Sequence, residues 1–214
     1  MSWSYSRYSM WKACPRKYKY RVIENLPETM HPAASRGTEI HAHMENYLLG
    51  NLGALPPEID YYQSFLDGLK EIGVHPEIRL SFTKDWTPCE WDAPDRFFRC
   101  VLDALVLRPD RAVVYDWKTG KEYPDHINQR EIYAVAVSAA HPELLEISVY
   151  HTYLDTKQNT WTTWHRDEIP ALREKWEAAI EPMFADTMYE AKPSWMCRFC
   201  AFSSRYGTGP CIGN

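Results

Sequence analysis

The chain has no apolar run of the roughly 20 residues that a helical membrane span needs, no internal repeat and no low-complexity tract. A membrane-spanning helix, a solenoid and a flexible spacer are thereby excluded. Its opening, Met-Ser-Trp-Ser-Tyr-Ser-Arg, has no apolar signal region. A cytoplasmic protein with reduced thiols is therefore expected, rather than a disulfide framework built from Cys14, Cys89, Cys100, Cys197, Cys200 and Cys211. A surplus of positive charge is also missing. Lys and Arg total 24 against 29 Asp and Glu, a net charge of -5, and that total announces no polyanionic partner. The distribution says more. Arg7, Lys12, Arg16, Lys17, Lys19 and Arg21 interleave with Tyr5, Tyr8, Trp11, Tyr18 and Tyr20, and no acid precedes Glu24. Cations beside aromatic faces suit a phosphate backbone and unstacked bases. Each ring taken singly is equally a core staple of an amphipathic helix.

A length of 214 residues suits one domain of generous size, or one domain with a small appendage. Apolar periodicity and breakers predict helices near 4–20, 33–49 and 57–72, the last opened by Pro56-Pro57. Strands follow near 76–83, 97–107 and 111–118, then a helix near 126–140, strands near 145–154 and 160–167, and a closing helix near 170–188. Strands divided by a crossing helix point to an α/β fold with a mixed sheet. Thr83 to Pro94 reads as an irregular loop. Residues 189–214 are too poor in apolar side chains to pack without a staple.

Two carboxylates and a lysine interrupt strands that otherwise read as buried core: Asp103 in Val101-Leu102-Asp103-Ala104, and Asp116 and Lys118 in Val113-Val114-Tyr115-Asp116-Trp117-Lys118-Thr119-Gly120. Arg108-Pro109-Asp110-Arg111 between them is turn chemistry, which makes the pair a hairpin. If 107 pairs with 112, then 103 faces 116 on one side of the sheet, with Cβ atoms roughly 4.5–5.5 Å apart. Lys118 points to the same side. Facing anions in an apolar sheet call for a cation between them, although a pair of core acids with one bridged to Lys118 is the plainer alternative. His41 lies at the edge of the stripe formed by Ile40, Met44 and Leu48. An imidazole, two aspartates and a backbone carbonyl form a sensible shell for Mn²⁺, and with more water for Mg²⁺. His43, about 200° round the helix from His41, is expected at the surface. Gln129 and Tyr133, spaced i, i+4 on the next helix, share a face from which they could contact a phosphate or hold the lysine. Cys197-x-x-Cys200 presents two thiolates to one metal, with Cys211 and Cys14 as third and fourth ligands of an iron-sulfur or zinc site.

In order and spacing, His41, Asp103, Asp116-Trp117-Lys118-Thr119-Gly120 and Gln129-Arg130-Glu131-Ile132-Tyr133 resemble the RecB-type branch of the PD-(D/E)XK nucleases. Ser4 to Tyr20, with Cys14-Pro15-Arg16-Lys17-Tyr18, and the ending Cys197-Arg198-Phe199-Cys200 to Cys211 are similar to the subgroup whose first and last cysteines close an iron-sulfur cluster. That subgroup includes CRISPR adaptation exonucleases, AddB-type nuclease domains and many phage exonucleases. Cys100 stands where the family often has glycine, and ten residues separate Cys200 from Cys211 where it usually has fewer.

The resemblance implies a single domain over 1–214 with a restriction-endonuclease-like core at 31–188, a mixed central sheet flanked by helices. The N-terminal helical part, 1–30, and the cysteine-rich 189–214 would together form a metal-cluster subdomain. It implies Mg²⁺ or Mn²⁺ held by Asp103 and Asp116, with His41 and the Trp117 carbonyl completing the shell. Lys118 would orient or deprotonate the attacking water, Gln129 and Tyr133 would support the scissile strand, and Glu77 would stand behind the ligands. Cys14, Cys197, Cys200 and Cys211 would bind a 4Fe-4S cluster, with zinc as the alternative. The implied activity is exonucleolytic hydrolysis of DNA, single-stranded or with free ends, in recombination, repair or CRISPR adaptation. It would take place in the cytoplasm of a bacterial host, from a phage gene in part of the subgroup, beside a recombination or adaptation partner. A catalytically silent cluster-bearing adaptor, and a nuclease for structured or RNA targets, are the competing readings; the intact Asp-x-Lys opposes the first.

Overall fold

The computed structural model describes residues 2–28, 32–205 and 209–212, with the side chains of Pro32 and Ala33 outside the description. Two compact units result: Met1–Ser2 with Arg36–Lys175, and Trp3–Ser35 with Trp176–Asn214.

The larger unit is built on a five-stranded sheet. Its strands are β1 (Val74–Phe82), β2 (Phe98–Leu107), β3 (Arg111–Lys118), β4 (Glu146–Tyr153) and β5 (Gln158–His165), and they lie side by side in chain order. All neighbours are antiparallel except β3 and β4. A parallel pair cannot be closed by a tight turn and requires a crossover. Here it is the helix His126–Ala140, whose residues 130–137 are all buried. The mixed α/β sheet expected from the order of elements is therefore present. On the other face, the helices Pro32–Leu48 and Gln63–Glu71 pack Ile40, Met44, Leu48, Leu66 and Leu69 against Ala104, Val106 and Trp117.

The helix boundaries differ from the expectation in two places of this unit. Pro56-Pro57 does not open the third helix: a 3₁₀ turn at Asp60–Tyr62 intervenes, and the α-helix begins at Gln63. Strand β1 starts at Val74, two residues before Pro76, a position that an edge strand tolerates because no ladder donor is needed there. Within it Glu77 adopts φ 50, in the left-handed region. His43 is half-buried rather than at the surface.

The second unit opens with α1 (Tyr5–Ala13), whose first turn is capped by the Ser4 side chain. It continues as α2 (Pro15–Tyr18) and a π-helical turn at Lys19–Ile23. The single helix expected over 4–20 is broken at Cys14, extended at φ -160 and ψ 104, because the residue before a proline is pushed out of the helical region. Numbering the other helices in chain order gives α3 (Pro32–Leu48), α4 (Gln63–Glu71), α5 (His126–Ala140) and α6 (Ile169–Ala185), the last divided between the units at Lys175. The N-terminal rings turn out to be packing groups. Trp3 is fully buried and stacks on Trp176 at 6.2 Å, and Tyr8 meets the same ring edge-on at 5.4 Å. Tyr18 lies against Tyr189, and Tyr20 against Phe202. Lys17 and Arg21 share Glu28, and Lys19 pairs with Glu24. Of the rings expected to face unstacked bases, Tyr8, Tyr18 and Tyr20 are buried in the unit's own core, while Tyr5 and Trp11 are half-buried. No described helix is long and apolar enough to cross a membrane.

Candidate active site

The hairpin register is the one its turn predicts. Leu107 pairs with Ala112, and the ladder runs on to Ala104 and Tyr115, which leaves Asp103 and Asp116 as the next facing positions. Both are buried, at 8 % and 3 % exposure. Asp103 Oδ2 accepts the Trp117 backbone N–H at 2.7 Å, while Oδ1 lies 3.2 Å from His41 Nδ1, brought in by α3. Asp116 Oδ1 accepts from Gln129 Nε2 and from the Tyr133 hydroxyl, each at 3.2 Å, so the i, i+4 pair on α5 does converge on the strand. Gln129 also donates to Tyr133 at 2.8 Å and accepts from Lys118 Nζ at 2.8 Å. The other Asp116 oxygen, Oδ2, forms an ion pair with Lys118 Nζ at 2.5 Å. That ammonium is the close partner of a buried oxygen and helps hold the Asp116 carboxyl ionised. His41, Asp103, Asp116, Lys118, Gln129 and Tyr133 therefore form one connected cluster, while the Trp117 ring is buried in the core.

These contacts drive the two carboxylates apart electrically. Burial and the charge of Asp116 raise the pKa of Asp103 above the usual carboxylate range, beyond what His41 and the Trp117 N–H offset. Burial acts on Asp116 in the same sense, but Lys118 and His151 outweigh it and hold that group low. For His41 burial disfavours the cation, and the hydrogen bond to and charge of Asp103 prevail, so its pKa rises. Glu77 is pushed up by burial and by the charges of Asp103 and Glu45. Two acids of divergent pKa in one buried cluster are a signature of acid–base or metal chemistry.

As the side chains stand, no three His, Cys, Asp or Glu among the described residues enclose a metal ion. The donor types nonetheless suit a hard divalent cation: Asp103 and Asp116 hold facing register positions, and the His41 imidazole lies beside Asp103. A contribution missed by the sequence reading comes from His151 and Arg130. His151, fully buried on β4, places Nε2 3.9 Å from Asp116 Oδ2, and Arg130 on α5 stands behind it. Burial lowers its pKa to about 3. The available signal was a histidine alternating with apolar residues in Val149-Tyr150-His151-Thr152.

The six cysteines divide between the two units, and those of the second unit lie together. Cys14, Cys197, Cys200 and Cys211 are free and line one pocket with Arg16 and Lys17. The Lys192 N–H points to Cys14 Sγ at 3.5 Å, and the Ser194 N–H to Cys197 Sγ at 3.4 Å. Cys89 and Cys100 belong to the sheet unit, where Cys89 meets Ser81 Oγ and burial pushes the Cys100 thiol up.

A family model of the PD-(D/E)XK nuclease superfamily matches residues 2–99 and 68–205, which together span most of the chain. The chain belongs to the PD-(D/E)XK nuclease superfamily. Its mixed sheet flanked by helices is consistent with the restriction-endonuclease-like core of that superfamily. Among solved structures, SSO0001 is similar at 15 % identity with a TM-score of 0.50, over 95 % of this chain and 84 % of that one. A Eubacterium rectale protein carrying a provisional exonuclease designation aligns at 11 % identity with a TM-score of 0.45, over 91 % of each chain. No curated protein matches the sequence. Mg²⁺ or Mn²⁺ is the metal that PD-(D/E)XK nucleases typically use.

Proposed function

We propose that this protein is a metal-dependent deoxyribonuclease of the RecB-type branch, acting as an exonuclease on single-stranded DNA or free DNA ends. The observation that carries the reading is the buried, register-paired Asp103 and Asp116 with Lys118 and Gln129 bonded beside them. Asp103, Asp116 and His41 would hold Mg²⁺ or Mn²⁺, and the Trp117 carbonyl is the fourth candidate ligand. The cation, when bound, polarises the phosphate and lowers the pKa of water. Lys118 orients the attacking water and offsets the charge that grows on the phosphate, and Gln129 fixes the lysine through its carbonyl. Tyr133, its own pKa raised well above the usual value by burial first and then by Asp116, stays a hydroxyl donor to that carboxylate.

The second unit is proposed to carry a 4Fe-4S cluster on Cys14, Cys197, Cys200 and Cys211, with zinc as the alternative. The convergence of those four free thiols on one pocket supports it. By resemblance to the subgroup, the protein would serve recombination, repair or CRISPR adaptation in the cytoplasm of a bacterium or from a phage gene. End-labelled single- and double-stranded DNA, incubated with the protein and Mn²⁺ or Mg²⁺, tests the activity. A ladder shortening from one end is expected; intact substrate with both metals, while the protein still binds DNA, would favour the silent adaptor instead.

A further inference from the structure

Asp116, His151 and Thr160 form one row across β3, β4 and β5, since Asp116 is level with His151 and His151 with Thr160 in the sheet register. Arg130, only 6 % exposed, reaches that row from α5. Its Nη1 donates to Thr160 Oγ1 at 2.8 Å and lies 3.4 Å from His151 Nδ1. A guanidinium has donors and no acceptor, so His151 Nδ1 can only accept from it. A neutral imidazole whose Nδ1 accepts carries its proton on Nε2. That proton is directed towards Asp116: Nε2 stands 3.9 Å from Oδ2 and is buried without a hydrogen-bond partner, while Oδ2 is taken by Lys118. A buried donor left unmet beside a carboxylate costs stability and calls for an explanation.

Lys118 supplies one. In the structure its ammonium is engaged by Asp116 Oδ2 at 2.5 Å and Gln129 Oε1 at 2.8 Å. A lysine that is to serve a phosphate or a water has to leave at least one of them. When it leaves Asp116, Oδ2 loses its only close cation and His151 Nε2–H is the donor facing it. A shift of about 1 Å brings the pair to ordinary hydrogen-bond distance. We propose that His151 is a positioning residue of this site, its Nε2–H taking over Asp116 Oδ2 when Lys118 turns away, so that the carboxylate keeps its orientation while the lysine acts. Arg130 fixes the tautomer that makes the exchange work. The nuclease reading enters only in what Lys118 turns towards; the tautomer and the handover do not depend on it.

The test uses the full chain. In metal-free protein labelled with ¹⁵N at histidine, the His151 ring should show a protonated Nε2 and a bare Nδ1, and Arg130→Met should abolish that preference. Calorimetric titration with Mn²⁺ should find His151→Leu weakened about 10–100-fold, and His151→Gln, whose amide nitrogen reaches nearly as far as Nε2, within about three-fold of wild type. A wild-type ring protonated at Nδ1 overturns the proposal, and so does equal Mn²⁺ affinity in His151→Leu and wild type. If His151→Leu does not fold, the wild-type spectrum and the His151→Gln titration decide alone. Should the wild type cleave no nucleic acid, the nuclease reading falls, and these two readouts still judge the role of His151.

Discussion

Asp116 is gripped on both oxygens, and the consequences of removing its neighbours separate by kind. Asp116→Ala and Lys118→Ala are each expected to lower the cleavage rate by at least about 10²-fold, the scale of losing a group that meets developing charge. Asp116→Ala should keep the fold, because it removes one member of a repelling, buried pair, whereas Lys118→Ala leaves Asp116 buried without its cation and should lower stability. Circular dichroism beside the rate measurement checks this, and near-wild-type hydrolysis in contaminant-free protein would defeat the proposed mechanism. His41 adds a pH dependence. In metal-free protein its pKa lies above that of a free imidazole, so the stability it contributes is complete below about pH 6.5 and fades as pH rises through the higher folded value. Asp103, also raised, acts with the same sign, although its window lies lower. The melting temperature of chelator-treated protein should therefore fall from neutral pH upward, and His41→Gln should flatten that slope. Because a metal takes only the neutral imidazole, Mn²⁺ binding near neutral pH should expel a proton. Calorimetry in buffers of different ionisation enthalpy measures it; no proton release would place His41 outside the metal shell.

At the scale of the element, the loop after β3 is held by a small set of contacts. Gly120 has φ +94 and donates its N–H to Asp155 at 2.7 Å, and Asp155 in turn pairs with Arg36 at 2.7 Å. The α3 backbone passes so near that a Cβ on Gly37 would meet Thr119 Oγ1 at 3.2 Å. Gly120→Ala is expected to cost about 1–2 kcal/mol through its left-handed backbone, and to lower the melting temperature by about 2–8 °C for a chain of this size. An unchanged melting curve would show that the loop relaxes freely. The hairpin of β2 and β3 was legible because its turn residues fix the register, and the register alone puts Asp103 opposite Asp116. Helix α5 was legible too, bounded as expected at His126 and Ala140. The break at Cys14 follows from Pro15, whose steric demand on the preceding residue outweighs the continuous pattern of rings and cations. His151 was hidden for a different reason. Strand alternation puts a residue on a face but does not say which strand lies alongside, and the pairing of β3 with β4 spans a 27-residue crossover that local pattern cannot resolve.

Across the whole molecule, the proposed cluster makes the second unit a metal-dependent structure. Protein prepared without air should be brown and contain iron, Cys14→Ala should bleach and destabilise it, and Cys89→Ala should leave the colour unchanged. Elemental analysis decides between metals: stoichiometric zinc without iron would keep the four-ligand site and replace the cluster, and neither metal would remove the site. The composition of that unit, Trp3–Ser35 with Trp176–Asn214, has a further bearing on how the protein is made. Ribosomes deliver the chain in one direction, at roughly 5–20 residues per second. Trp3, Tyr8, Tyr18 and Tyr20 emerge well before the rings they stack or pack on, Trp176, Tyr189 and Phe202. For roughly 8–36 seconds at that pace these apolar rings wait without their partners. During that interval the leading segment is a natural client for chaperones.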